Sequence, residues 1–324
     1  HKDLFLSMYW DAISLFMIVI PLISIYVVVF PDMNQVSSLY INKYKIRWLS
    51  ELSIFLGTYA TILGILATLI GISASGGIYS ENLSFPLGNS LAVAFITMIY
   101  ALVLSFSFYV ISFFLIDSKQ KIKEIGNRYI AKIIAWLFII VIYGYTFMLL
   151  LSAISISEMK IINILGLDDK KIYLFFGLIF LFLNFQKNSS ILKLFKNLLV
   201  DSKQSISEIK SQIKAIKNTK RFVGGLMMIS VIFFSTSFFI SLNYFIDQPN
   251  EIFSMFVSGT QLIHWCFFII ILLIILEGKY NYQLYNNEEI INHDRTFIVK
   301  YVALPTILYF IMLALIFVLS NVLL

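Results

Sequence analysis

The chain alternates long apolar blocks with short polar stretches, and the length of the blocks is the first informative feature. A helix crossing a bilayer needs roughly 20 apolar residues. On that measure eight crossings are predicted, over 12–30, 52–73, 90–116, 129–154, 172–186, 223–246, 252–276 and 298–323. The predicted fold class is therefore an all-α polytopic membrane protein. The order of spans and basic segments in residues 155–324 repeats that in residues 1–154, so two parallel four-helix units are expected, although the two halves agree poorly in sequence.

Composition strengthens this picture. Of 324 residues, 60% are hydrophobic and 13% charged, and the mean hydropathy is +0.89. A water-soluble domain does not carry so little charge on its surface. Lys43, Lys45 and Arg47 lie between the first two spans, Lys119, Lys121, Lys123 and Arg128 follow the third, and a long basic stretch runs from Lys187 to Arg221. The alternate connections hold few basic residues, so both termini and the 74–89 connection are expected outside, with 187–221 in the cytoplasm. The first span lacks a cleavage site of small residues and reads as a retained helix.

Within the second unit, residues 187–222 form a basic amphipathic segment. Ile206, Ile209, Ile213 and Ile216 recur at helical spacing, ringed by Lys203, Lys210, Lys214 and Lys217. Such a helix packs on a partner helix or lies on anionic headgroups, and its plainer reading is a cytoplasmic extension packing within its own assembly. Its lysines lack the aromatic interleaving of a nucleic-acid surface, and no nucleic-acid partner is expected.

The most distinctive stretch is 52–116. In the first arm Gly57, Thr61, Gly64, Thr68 and Gly71 step by 4, 3, 4 and 3, which puts all five on one helix face. In the second, Ser90, Ala94, Thr97 and Ala101 step by 4, 3 and 4. Small residues at such spacing predict close backbone approach, because in lipid no hydrophobic gain drives apolar helices together. Gly57, Gly64, Gly71, Ser90, Ala94 and Ala101 are the expected packing seam. Thr61, Thr97 and Thr68 add hydroxyls suited to a narrow polar path.

The wording of the two arms resembles the pore hairpin of the MotA, TolQ and ExbB proton-channel family. In LGTYATILGILATLIGI, Gly57, Thr61 and Gly64 fall on the motif glycine, threonine and glycine, and Ala60 replaces a second glycine. In AFITMIYAL, Ala94, Thr97, Tyr100 and Leu102 are retained, while Met98 and Ala101 replace threonine and glycine. The likeness covers only this hairpin, and the residues before it are too few for the family's cytoplasmic domain. It implies a multi-pass subunit of the bacterial inner membrane, several copies of which ring a single-span partner whose membrane aspartate takes up the ion. Thr61, Thr97 and Thr68 would line the ion path. Neither arm contains Asp or Glu, so by this reading the carboxylate comes from the partner.

The remaining chemistry is sparse. His264 is the one ionisable group deep in a predicted span, a candidate because charge in hydrocarbon costs several kcal/mol, with a neutral histidine bonded across helices as the plainer reading. Asp11 reads as an interface residue at the outer edge of the first span, beside Tyr9 and Trp10. A single cysteine, Cys266, lies within a span, and no metal site, phosphate loop, cofactor or enzymatic constellation is expected. The function expected is an ion channel or stator-like subunit, with a secondary transporter of two repeats or a nonconducting membrane scaffold as alternatives.

Overall fold

The computed structural model describes residues 11–30, 43–74, 87–115, 133–141, 170–185, 205–241, 249–286 and 303–322. Seven long helices occur among them. We label these α1 (Ala12–Val29), α2 (Lys43–Ala74), α3 (Leu87–Phe114), α4 (Lys170–Phe185), α5 (Ile206–Ser241), α6 (Pro249–Asn286) and α7 (Leu304–Val322). A further helical stretch covers 133–141, and no strand occurs among the described residues. Four stretches, Ala12–Val29, Lys43–Ile70, Ala92–Phe114 and Val257–Leu284, are long and apolar enough to cross a membrane, and Ile172–Phe182 is a shorter apolar helix. The chain is thus an all-helical, multi-pass membrane protein. Of the eight crossings expected, the one at 129–154 falls largely outside the described residues.

Local chemistry sets the helix starts. Asp11 caps α1, its Oδ1 accepting the Ile13 N–H at 3.1 Å, and Pro21 is accommodated inside the same helix. At α5, Ser205 and Glu208 form a reciprocal capping box, with Glu208 N–H to Ser205 Oγ at 3.3 Å and Ser205 N–H to Glu208 Oε2 at 3.1 Å.

Helix α2 lies at the centre and packs on α1, α3 and α6, while α5 packs along α6 and also meets α4 and α7. Both α2 with α3 and α5 with α6 are antiparallel pairs. The reason is legible on α3: Ala94, Thr97, Ala101, Ser105 and Ser112 are buried, whereas Phe95, Leu102, Val103, Phe106 and Phe113 on the other face are exposed and apolar, as lipid requires. One apolar core runs through both halves of the chain, from Ile18, Leu52 and Ile62 to Met227, Phe267 and Ile270.

Three helices outrun the bilayer. At 1.5 Å per residue, the 32, 36 and 38 residues of α2, α5 and α6 measure about 48, 54 and 57 Å, against a hydrocarbon thickness of about 30 Å. Their polar ends meet at one level. There Lys45, Lys220 and Lys279 are buried, Lys220 is paired with Glu277, and Trp48 covers Gly278 so closely that a Cβ added there would come within 2.6 Å of the ring. Phe30, at the end of α1, lies with its ring centroid 5.2 Å from that of Trp48 and 4.9 Å from that of Tyr282. The Lys45 ammonium stands 5.2 Å from the Tyr282 ring centroid and 5.6 Å from that of Phe30, a geometry in which the ring faces attract it. Along the basic segment Ile209, Ile213 and Ile216 are buried, and Ile206 is exposed. That stripe is therefore a packing face within the chain, and it gives out in the first turn of α5.

Candidate functional site

The small-residue seams predicted on α2 and α3 face each other. A Cβ added to Gly57 would overlap that of Ala101, and one added to Gly64 would stand 2.8 Å from the Ala94 Cβ, too near for any side chain. Ser50 and Ser105 continue the seam toward the basic end, where Ser50 Oγ donates to the Ser105 carbonyl at 2.8 Å and the two hydroxyls lie 3.0 Å apart. This serine pair is missing from the sequence reading, although Ser50 stands seven residues before Gly57, just as Gly64 stands seven after it. Gly71 and Ser90 belong to the helical backbones of α2 and α3, and their side-chain surroundings lie outside the described residues.

Each threonine hydroxyl donates to its own helix. Thr61 Oγ1 donates to the Gly57 carbonyl at 2.8 Å, Thr68 Oγ1 to the Gly64 carbonyl at 2.9 Å, and Thr97 Oγ1 to the Ala94 carbonyl. Thr58, also buried, donates to the Ile54 carbonyl at 2.8 Å. Such back-bonding consumes the hydroxyl proton and leaves oxygen lone pairs to accept from a guest. Thr61 is 0% and Thr97 3% exposed, so both are enclosed within this chain, while Thr68 is half-buried. Helix α1 packs on both arms of the hairpin.

The N-terminal end of α1 meets the second arm at Asp11. The Asp11 backbone N–H donates to the Tyr100 hydroxyl at 2.9 Å, and the carboxylate accepts from Ile13 N and the Ser14 hydroxyl. Tyr100 lies one helical turn from Thr97 and near the middle of the 28-residue α3. Asp11 thus stands at the edge of the first span as its helix cap, and it meets the second arm of the hairpin there.

His264 finds its partner on α2. Its Nε2 lies 2.9 Å from the Tyr59 hydroxyl, with the rings stacked at 5.2 Å between centroids. Both residues are buried. One turn away on α6, Thr260 Oγ1 lies 3.0 Å from the Tyr309 hydroxyl of α7. These two bonds join α6 to helices from both halves of the chain. Tyr59 and Tyr309 carry no helical polar pattern of their own, so nothing in the sequence picks them out.

No protein-family model matches the chain, and no match is found among curated proteins or solved structures.

Proposed function

We propose that this chain is an ion-conducting subunit, most simply for protons, of an energising complex in a bacterial inner membrane. The observation carrying the proposal is the juxtaposition of two seams in one hairpin, Gly57 on Ala101 and Gly64 on Ala94, with the Thr61 and Thr97 hydroxyls enclosed beside them. Tight backbone contact leaves no room for a wide aqueous pore. What it provides is a short row of oxygen acceptors where water is scarce, which suits a single ion handed between polar groups. In this reading several copies form a ring around a single-span partner that carries an ionisable aspartate, and movement of the partner converts ion flow into work. Proton or sodium flux into vesicles holding the chain, with and without its co-purifying single-span protein, tests this. Flux that rises with the partner supports the complex, and vesicles that stay tight in both preparations would make the chain a nonconducting scaffold.

A secondary transporter is the second reading, favoured by the Tyr59–His264 and Thr260–Tyr309 bonds, which put polar groups between helices of both halves. It expects a monomer. A ring of subunits around a small partner, measured as particle mass, decides against it.

A further inference from the structure

The apolar stripe of the basic segment is spent inside the molecule, and that fixes where its charges point. Ile209, Ile213 and Ile216 are buried, and Lys220 turns inward to Glu277. The other side of α5 carries Lys210, Lys214 and Arg221, all exposed, with Lys217 half-buried between them. Steps of 4, 3 and 4 place the four on one line along the helix. Ile206 lies one turn beyond Lys210 on the same line and is 42% exposed, an apolar side chain at the tip of a charged row.

The sequence does not supply the acids to balance this row. Glu208 is the single acidic residue in 205–221, and its carboxylate accepts the Ser205 N–H. In 187–204, Asp201 stands against Lys187, Lys193, Lys196 and Lys203, and in 287–302 the acids Glu288, Glu289 and Asp294 are accompanied by Arg295 and Lys300. The whole chain keeps a net charge of +6. The balancing anion therefore comes from outside it.

The membrane reaches only one end of the row. Farther along α5 the exposed side chains are apolar, Ile229, Ile232 and Phe233. Placing hydrocarbon as high as Phe222, directly after Arg221, still leaves Lys210 about 18 Å and Ile206 about 24 Å above it along the helix. Headgroups fill about 5–8 Å of that length, and beyond them a surface charge is screened over about 8 Å at physiological salt. Lipid thus serves the Arg221 end and leaves the end at Lys210 and Ile206 unserved. We infer that this face of α5 docks an acidic helix of another protein, which lies along it with carboxylates at the same spacing and covers Ile206 with an apolar side chain. Because the steps read 4, 3 and 4 from either end, a helix of either direction meets all four cations. The surface belongs to α5 and not to the hairpin, so the inference stands whether or not the chain conducts ions.

The test uses the full chain in phosphatidylcholine nanodiscs and a fluorescein-labelled, alanine-based helical peptide with glutamates at steps of 4, 3 and 4. A control peptide of the same composition spreads its glutamates around the helix. At low ionic strength the in-register peptide should bind about tenfold tighter by fluorescence anisotropy, since exposed ion pairs are individually weak and the four must act together. Added salt should weaken it. Lys210→Gln/Lys214→Gln should abolish the preference without lowering the melting temperature, because both side chains are exposed. Arg47→Gln, which removes an exposed cation from α2, should keep it. Equal affinity for the two peptides, or a preference that survives Lys210→Gln/Lys214→Gln, overturns the inference. A dye on Ile206→Cys that is quenched by headgroup-spin-labelled phosphatidylglycerol also overturns it, and assigns the row to the membrane surface.

Discussion

The two antiparallel pairs at the heart of the molecule solve the same packing problem by opposite means. In α2 and α3 the contact is made by Gly57, Gly64, Ala94 and Ala101, and the buried threonines donate within their own helices. In α5 and α6 the contact is made by large groups: the Phe234 ring sits over Gly259, and Lys220 reaches Glu277 across the interface. Bonds from α6 to Tyr59 and Tyr309 tie this second pair to its neighbours as well. The first pair is therefore held mainly by the fit of small residues, with the Ser50–Ser105 contact as a polar bond between its arms, and the second by large side chains and an ion pair. Under the proposed function the first pair would be the conducting hairpin and the second its frame.

The largest effect is expected where small residues make the fit. Gly57→Leu should prevent the hairpin from closing and Gly64→Leu should weaken it, because both put side-chain atoms where the facing helix already stands. Ile54→Ala, at an exposed position on α2, should be tolerated. Size-exclusion profiles and melting curves in detergent read all three. Gly57→Ala should also destabilise and be rescued by Ala101→Gly in the same chain; failure of that rescue would mean that the two residues do not meet.

In the second pair, removing one member of the buried ion pair should cost about 3–5 kcal/mol, since the other charge is left without its partner. Lys220→Met combined with Glu277→Met should recover most of that loss. If the double variant is no more stable than Lys220→Met, the pair is not the bond that fixes α5 to α6. A smaller loss is expected at the bridge to the hairpin. Tyr59→Phe leaves His264 buried without its partner and should cost about 1–3 kcal/mol in denaturant unfolding. An equal loss in Tyr59→Phe/His264→Phe would show that the hydrogen bond is not the cause.

The sequence carried the first pair better than the second. Small residues at steps of three and four are visible in one dimension, and Gly57, Gly64, Ala94 and Ala101 meet as that spacing predicts. Ile209, Ile213 and Ile216 were equally legible, since an apolar stripe on a lysine-rich helix must cover something. Partners across long sequence separations were not. Tyr59 and His264 are 205 residues apart, and neither segment carries a local sign of the other. Hydropathy likewise shows that an apolar block starts after Asp11, but not that the Asp11 N–H meets Tyr100 of α3.

The smallest structural effect should accompany the sharpest functional one. Thr61→Val with Thr97→Val keeps side-chain shape and frees only carbonyls already bonded within their helices, so stability should change by less than about 1 kcal/mol. Removal of both hydroxyls does take away the two oxygen acceptors to which the proposed path is assigned. The direct measurement is ion flux, at matched protein density and subunit mass, through vesicles holding the chain and its co-purified partner, wild type against this double variant. The account predicts that flux collapses while the assembly and its melting temperature persist. Undiminished flux through the Thr61→Val/Thr97→Val protein would contradict it and place the conducting path elsewhere in the molecule.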